Sequence, residues 1–319
     1  MSVIDAIGLV GTLLTTIGFA QSNLPDASPR GASIRVKVGL QNTTSSDYGG
    51  RIAKIQAYDS NNAKIGDLSP GADIQSGDIA DYTFDQQSPG TQSQYISFLG
   101  TNGGICLSWI VLKNLDGAAD AAWTGDVGYK CGHAWNWGRE VAGRDSNGQP
   151  YKPFCTWIDA DHTDNIDTGA IKIDFLAYGE KLKDTISQDT ACSKTIFAKD
   201  AVEIDGVPSK KTRRAISKDR PQWMTDRLLV SSFPSDNATM LCQSETSYGP
   251  DAIGSDGYYC NMATRELFPL CEMHNVEGCI NIDKDNKVVT KRSLVAKRST
   301  DLHYRSYTQV DHLDVNEVD

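Results

Sequence analysis

The chain has 319 residues, 39% hydrophobic and 23% charged, with a mean hydropathy of -0.39. These values exclude a disordered polymer and lead us to expect one large domain plus a smaller module. A formal net charge of -10 and a pI near 5.0 oppose attraction to phosphate backbones, so nucleic acid is set aside as a partner.

The first element, residues 1–20, reads as a signal peptide or an N-terminal apolar helix. "MSVIDAIGLVGTLLTTIGFA" has the length of a secretory leader, and "GFA" before Gln21 meets the small-residue rule for cleavage, although the start carries Asp5 and no Lys or Arg. As a helix it puts Gly8, Gly11, Thr15 and Gly18 on one stripe beside Ile7, Val10, Leu14 and Ile17. That pattern suits a helix docked on the protein's own sheet or one inserted in a membrane. The apolar run is shorter than the roughly 20 residues that span a bilayer.

Residues 21–180 alternate with period two. "SIRVKVGL" is followed by "RIAKIQAYDSNNAKIGDL", where two runs flank a Ser-Asn-Asn turn and predict a hairpin. "IADYTFDQ", "SQYISFLG", "ICLSWIVLKN", "AAWTGDVGY", "FCTWIDAD" and "AIKIDFLAYG" continue the series. The fold class expected is mainly β: an antiparallel β-sandwich, followed by a small disulfide-rich module. Trp109 and Trp157 sit inside strand patterns and read as core. Trp135 and Trp137, in the Gly-bounded stretch "CGHAWNWGRE", read as an exposed pair able to stack on a ligand.

"CTWIDADHTDNID" holds four aspartates and a histidine. Asp159, Asp161, Thr163, Asn165 and Asp167 alternate like the first ligands of a calcium loop, with Asp159, Asp161, Asn165 and Asp167 as metal candidates. The match fails at Asp164, where that loop needs glycine, and at Ala170, where it needs glutamate. Asp159, Asp161 and His162 are the catalytic candidates, as an acid/base cluster. The third reading is a turn in which the aspartates bond backbone N–H groups. No cofactor other than Ca2+ is suggested.

Residues 181–225 lose periodicity and end in "PSKKTRRAISKDRPQ", a basic linker without the aromatic interleaving that stacks on bases. Residues 226–285 form a cysteine-rich module, in which Asp251, Asp256 and Glu245 read as solvated turns. Residues 286–319 read as a processed or disordered tail. The dibasic pairs Lys291-Arg292 and Lys297-Arg298 make Arg292 and Arg298 candidate processing sites.

Eight cysteines stand at Cys106, Cys131, Cys155, Cys192, Cys242, Cys260, Cys271 and Cys279, with no C-x-x-C pair. That spacing disfavours zinc ribbons and redox motifs and favours disulfides formed in an oxidising compartment, against eight buried free thiols. Four lie in each half, so each half is expected to pair internally. The sequons at Asn42 and Asn237 are glycosylation candidates that agree with secretion.

"GFAQSNLP", "GDVGYKCGHAW", "CTWIDADHTDNI", "LCQSETSYGPD" and "YYCNMATRELFPLC" together resemble an uncharacterised cysteine-rich family of predicted secreted proteins of filamentous fungi, over most of residues 15–280. The resemblance implies secretion and carries no activity. The chain shows no nucleophile elbow, zinc-protease helix motif, Walker loop or dinucleotide-binding pattern. The function expected is therefore a secreted, disulfide-stabilised binding or effector-like protein facing an extracellular glycan, membrane or protein surface. The alternatives are a hydrolase using the Asp/His cluster, with or without a divalent metal, and a membrane-perturbing toxin led by the N-terminal helix.

Overall fold

A computed structural model describes residues 23–40, 48–115, 120–144, 150–162, 166–208, 220, 222–234, 236–244, 247–283, 287–295 and 298–313. The expectation for residues 1–20 lies outside them. The protein is mainly β, with 42% strand against 11% helix. It divides into two compact units, Met1–Ile216 and Ser217–Asp319.

Unit 1 is a sandwich of two antiparallel sheets. The first runs β4 (Ile79–Thr83), β1 (Ser33–Val38), β6 (Ile105–Lys113), β11 (Cys155–Ile158) and β8 (Trp135–Asn136). β7 (Ala121–Thr124) pairs the far half of β6, so β6 is flanked along its whole length. The second runs β13 (Thr195–Ala198), β12 (Ala170–Asp174), β5 (Tyr95–Gly100), β2 (Ile52–Tyr58) and β3 (Lys64–Leu68). A small ribbon pairs β9 (Gly143–Arg144) with β10 (Pro150–Tyr151).

Period-two patterning explains the core. Register places Ile34, Val36, Ile110, Leu112 and Trp123 on one face of the first sheet, and Ile55, Ile96, Phe98, Ile171 and Ile173 on one face of the second. All ten are buried. The indole of Trp123 crosses between the sheets, donating to Thr195 Oγ1 at 3.2 Å. On the outer face of the first sheet Trp109, Val111 and Ala122 are covered by Leu24 and Ala142. Trp109 and Trp157 are core residues, as their strand positions predict.

The chain passes from the second sheet to the first through residues 101–104. There a Cβ on Gly50 would lie 2.1 Å from the carbonyl oxygen of Gly104, and Gly104 itself holds φ +66. Only glycine suits both positions. "AAWTGDVGY" departs from its strand pattern after Thr124: Asp126–Cys131 forms helix α1, closed by Gly132 in the left-handed conformation. Asp126 drives that turn, accepting from Thr124 Oγ1, Tyr151 OH and Phe154 N, and its burial raises its pKa.

The first part of the basic linker expected over 181–225 is folded instead. Helix α2 (Leu182–Ser187), a 3-10 turn (Ala191–Ser193) and β13 belong to unit 1, and Ile204 packs on Leu99 and Ala170. Residues 209–219 lie outside the described set.

Unit 2 has a five-stranded sheet in the order β17 (Glu266–Pro269), β16 (Tyr258–Asn261), β15 (Asp251–Ile253), β14 (Arg227–Ser231) and β21 (Gln309–Leu313), with β14 parallel to both neighbours. A three-stranded antiparallel sheet joins β18 (Ile280–Asp283), β19 (Val288–Val295) and β20 (Arg298–Ser306). Helices α3 (Gln222–Thr225) and α4 (Ala238–Gln243) complete the unit. The expected tail is thus corrected: Val289, Tyr304, Tyr307 and Val310 pack in one cluster with Leu228, Ile253, Tyr259 and Ile280.

All eight cysteines are paired, as Cys106–Cys155, Cys131–Cys192, Cys242–Cys260 and Cys271–Cys279. Each half pairs within itself, as expected. The first two span 49 and 61 residues, for which loop closure in the unfolded chain gives about 4 kcal/mol each.

Candidate functional site

The acidic stretch begins where β11 ends. Asp159 is fully buried; its N–H donates to Thr168 O at 2.7 Å, and its Oδ1 accepts from Gly103 N at 3.3 Å. Its Oδ2 finds no donor among the described residues. Burial first, and the neighbouring charge of Asp161 second, push its pKa up to about 6. The His162 backbone is left-handed at φ +58, and its Nδ1 donates to Ile166 O at 2.8 Å.

This arrangement turns the Asp159 carboxyl into the turn. Two clefts lie among the described residues of unit 1, and neither is lined by Asp159, Asp161 or His162. Among the described residues no three His, Cys, Asp or Glu side chains are grouped to hold a metal, Asp159, Asp161 and Asp167 included. Asn165 and Thr163 lie outside the described set. The turn reading therefore accounts best for Asp159.

Trp135 and Trp137 require a correction. They are 0% and 3% exposed, because the Gly-bounded stretch folds inward as β8 against β11. Trp135 packs on Tyr129 at 4.7 Å and Phe154 at 4.4 Å. Neither ring is available to stack on an external ligand.

Two clefts that the sequence did not signal lie side by side on unit 1, sharing Gln94 and Leu176 as a common wall. One, of about 370 Å3, is lined by Asp174, Lys181, Asp184, Gln188 and Lys194. The other, of about 350 Å3, is lined by Asp59, Asn61, Thr91, Gln92, Ser93 and Asn114. Gln94 Nε2 donates to Asp174 Oδ1 at 3.2 Å, and Lys194 lies 3.6 Å from Asp174 Oδ2. Asp59 Oδ1 accepts from Asn61 N and Ala63 N, which fixes the β2–β3 turn at the rim. Two carboxylates face two ammonium groups in the first cleft; amides and hydroxyls dominate the second. Such walls offer donors and acceptors in comparable number with little net charge.

In unit 2 the solvated-turn reading of Asp251 and Asp256 is also corrected. Asp251 is fully buried; it accepts from Met262 N at 2.8 Å, Tyr307 OH at 2.7 Å and Tyr259 OH at 3.2 Å, and pairs with Arg220 and Arg305, each at 3.2 Å. Burial and the Asp251 charge raise the pKa of both tyrosines. Asp256 accepts from Ala238 N, Thr239 N and Thr239 Oγ1 at the start of α4. Glu245 lies outside the described residues. The roles of Asp251 and Asp256 are structural.

The two processing candidates sit in paired strands. Lys291-Arg292 is inside β19, bonded to β18 and β20, and Arg298 opens β20. A protease needs an extended, unpaired segment, which position 292 does not provide. At Asn237 the amide oxygen caps α4 by accepting from Met240 N at 2.9 Å. Asn42 lies outside the described residues. Among these residues no helix is long and apolar enough to cross a membrane.

No family model matches the chain, and no curated protein matches it. Three crystal structures of LOX variants align with 29% of this chain at 12% identity, with TM-scores of 0.25, 0.25 and 0.24. The chain spans 14% of their length, and a likeness of this extent carries no argument.

Proposed function

We propose that the chain is an extracellular binding protein whose ligand surface is the double cleft around Gln94 and Leu176, and whose ligand is a neutral glycan. The observation that carries this reading is the chemistry of the two adjoining clefts, whose walls offer amides, hydroxyls and balanced charges to a hydroxyl-bearing ligand. Four disulfides in a chain with no free cysteine support an oxidising compartment. Secretion, with glycans at Asn42 and Asn237, and the resemblance to cysteine-rich proteins of filamentous fungi belong to the same proposal.

The test is isothermal titration and 15N NMR with cellohexaose, laminarihexaose, chitohexaose and mannohexaose. At least one is expected to shift the amides of residues 59–61, 91–95 and 174–194. Gln94→Ala, which removes the polar side chain shared by both clefts, is expected to weaken that binding about tenfold, the worth of one or two hydrogen bonds. Absence of shifts with all four sugars, or shifts elsewhere that Gln94→Ala leaves intact, would overturn the reading.

A further inference from the structure

Lys172 stands in β12 on the outer face of the second sheet, yet it is 0% exposed. The segment around Ile204 lies over it. Its Nζ sits 3.6 Å above the Tyr58 ring, donates to Ile204 O at 2.7 Å, and donates to Asn62 Oδ1 at 2.7 Å. Asn62 lies in the β2–β3 turn with φ +64, and its Nδ2 donates to Asp205 O at 2.7 Å. Both ends of one carboxamide are thereby held, with a buried lysine amine against its carbonyl.

We propose that Lys172 and Asn62 are joined, after folding, by an intramolecular isopeptide bond. The Nζ lone pair forms a bond to Asn62 Cγ, the Cγ–Nδ2 bond breaks, and Nδ2 departs as ammonia carrying a proton from the amine. Counted from the lysine ammonium, the products are a secondary amide and an ammonium ion. No oxidant or other reactant is consumed.

Three features favour the step. An amine hydrogen-bonded to the carbonyl oxygen lies about 3.5 Å from its carbon, at the limit of the near-attack range, and reaches that conformer once its lone pair turns toward the carbon. Burial lowers the Lys172 pKa to about 8, so about a tenth of the amine is neutral at pH 7. Finally, Asp205 O accepts from Nδ2 and so fixes the carboxamide that the amine faces. The bond would close a span of 110 residues and, unlike the disulfides, would survive reductant. It is independent of the glycan reading.

Intact mass after reduction and alkylation tests the proposal. The natural chain is expected about 17 Da lighter than its residues require, the mass of ammonia. After trypsin the deficit should fall on one species joining residues 55–64 to 145–181, since an acylated Lys172 no longer admits the protease. That location separates it from cyclisation of a terminal glutamine. Asn62→Gly, which suits the left-handed turn, should give full mass with 55–64 released; Asn62→Asp should restore the link with a loss of about 18 Da, as water. Lys172→Met should abolish it. Recovery of unlinked 55–64 at full mass from natural protein, even after prolonged alkaline incubation, would overturn the proposal. So would a link that persists in Asn62→Gly.

Discussion

A carboxyl group buried as Asp159 is, with one oxygen lacking a donor and Asp161 alongside, is easier to fold in its acid form than as an anion. Its folded pKa of about 6 lies above the ordinary carboxylate value. The stability it lends is therefore complete in acid and is lost as pH rises through about 6, by an amount on the order of 3 kcal/mol. Asp159→Asn keeps the shape and removes the titration. We expect it to raise the melting temperature at neutral pH and to flatten the pH dependence between the acid range and neutrality, as followed by circular dichroism. An unchanged pH profile would place Asp159 outside the proton linkage. The sequence marked this residue as special through its acidic neighbours. It could not show that the side chain turns inward, because that depends on the 101–104 turn approaching from the other sheet. Asp251 was less legible still: its partners Tyr307 and Arg305 lie more than fifty residues away, and a run of Gly and Ser around it looks like any solvated turn.

At the scale of elements, strands with one buried face were legible and those with mixed faces were not. β2 and β3 pair as the Ser-Asn-Asn turn predicts, since Ile55 and Ala57 alternate with half-polar positions. β19 carries Lys291 and Arg292 in mid-strand and so resembled a cleavable loop. The structure shows what occupies the charges: Lys291 lies 4.4 Å over the Phe268 ring, and Arg292 pairs with Asp301 at 3.3 Å. Ending the chain after Arg292 would remove β20, β21, Arg305 and Tyr307, leaving the Asp251 carboxylate with two of its donors missing in a low-dielectric site, a loss of about 3–5 kcal/mol. The truncated protein is expected to lose the near-ultraviolet dichroism and slow amide exchange of unit 2. Retention of both would restore the view of this region as a dispensable tail.

For the whole molecule, peptide mapping without reductant should recover the pairs 106–155, 131–192, 242–260 and 271–279, and no linked peptides that cross from residues before 216 to residues after it. Any crossing link would contradict the division into two units. The β-rich class and the internal pairing of each half were readable from alternation and cysteine placement. The double cleft was not, since its walls come from residues 59–61, 91–95, 114 and 174–194, which only the sheet topology brings together. That confinement of sulfur chemistry bears on how the chain matures. Eight thiols oxidising at random face roughly a hundred pairings, whereas two sets of four, each gathered by its own collapse, face only about nine. A mispaired half can then be reshuffled by an isomerase while the other keeps its completed bonds.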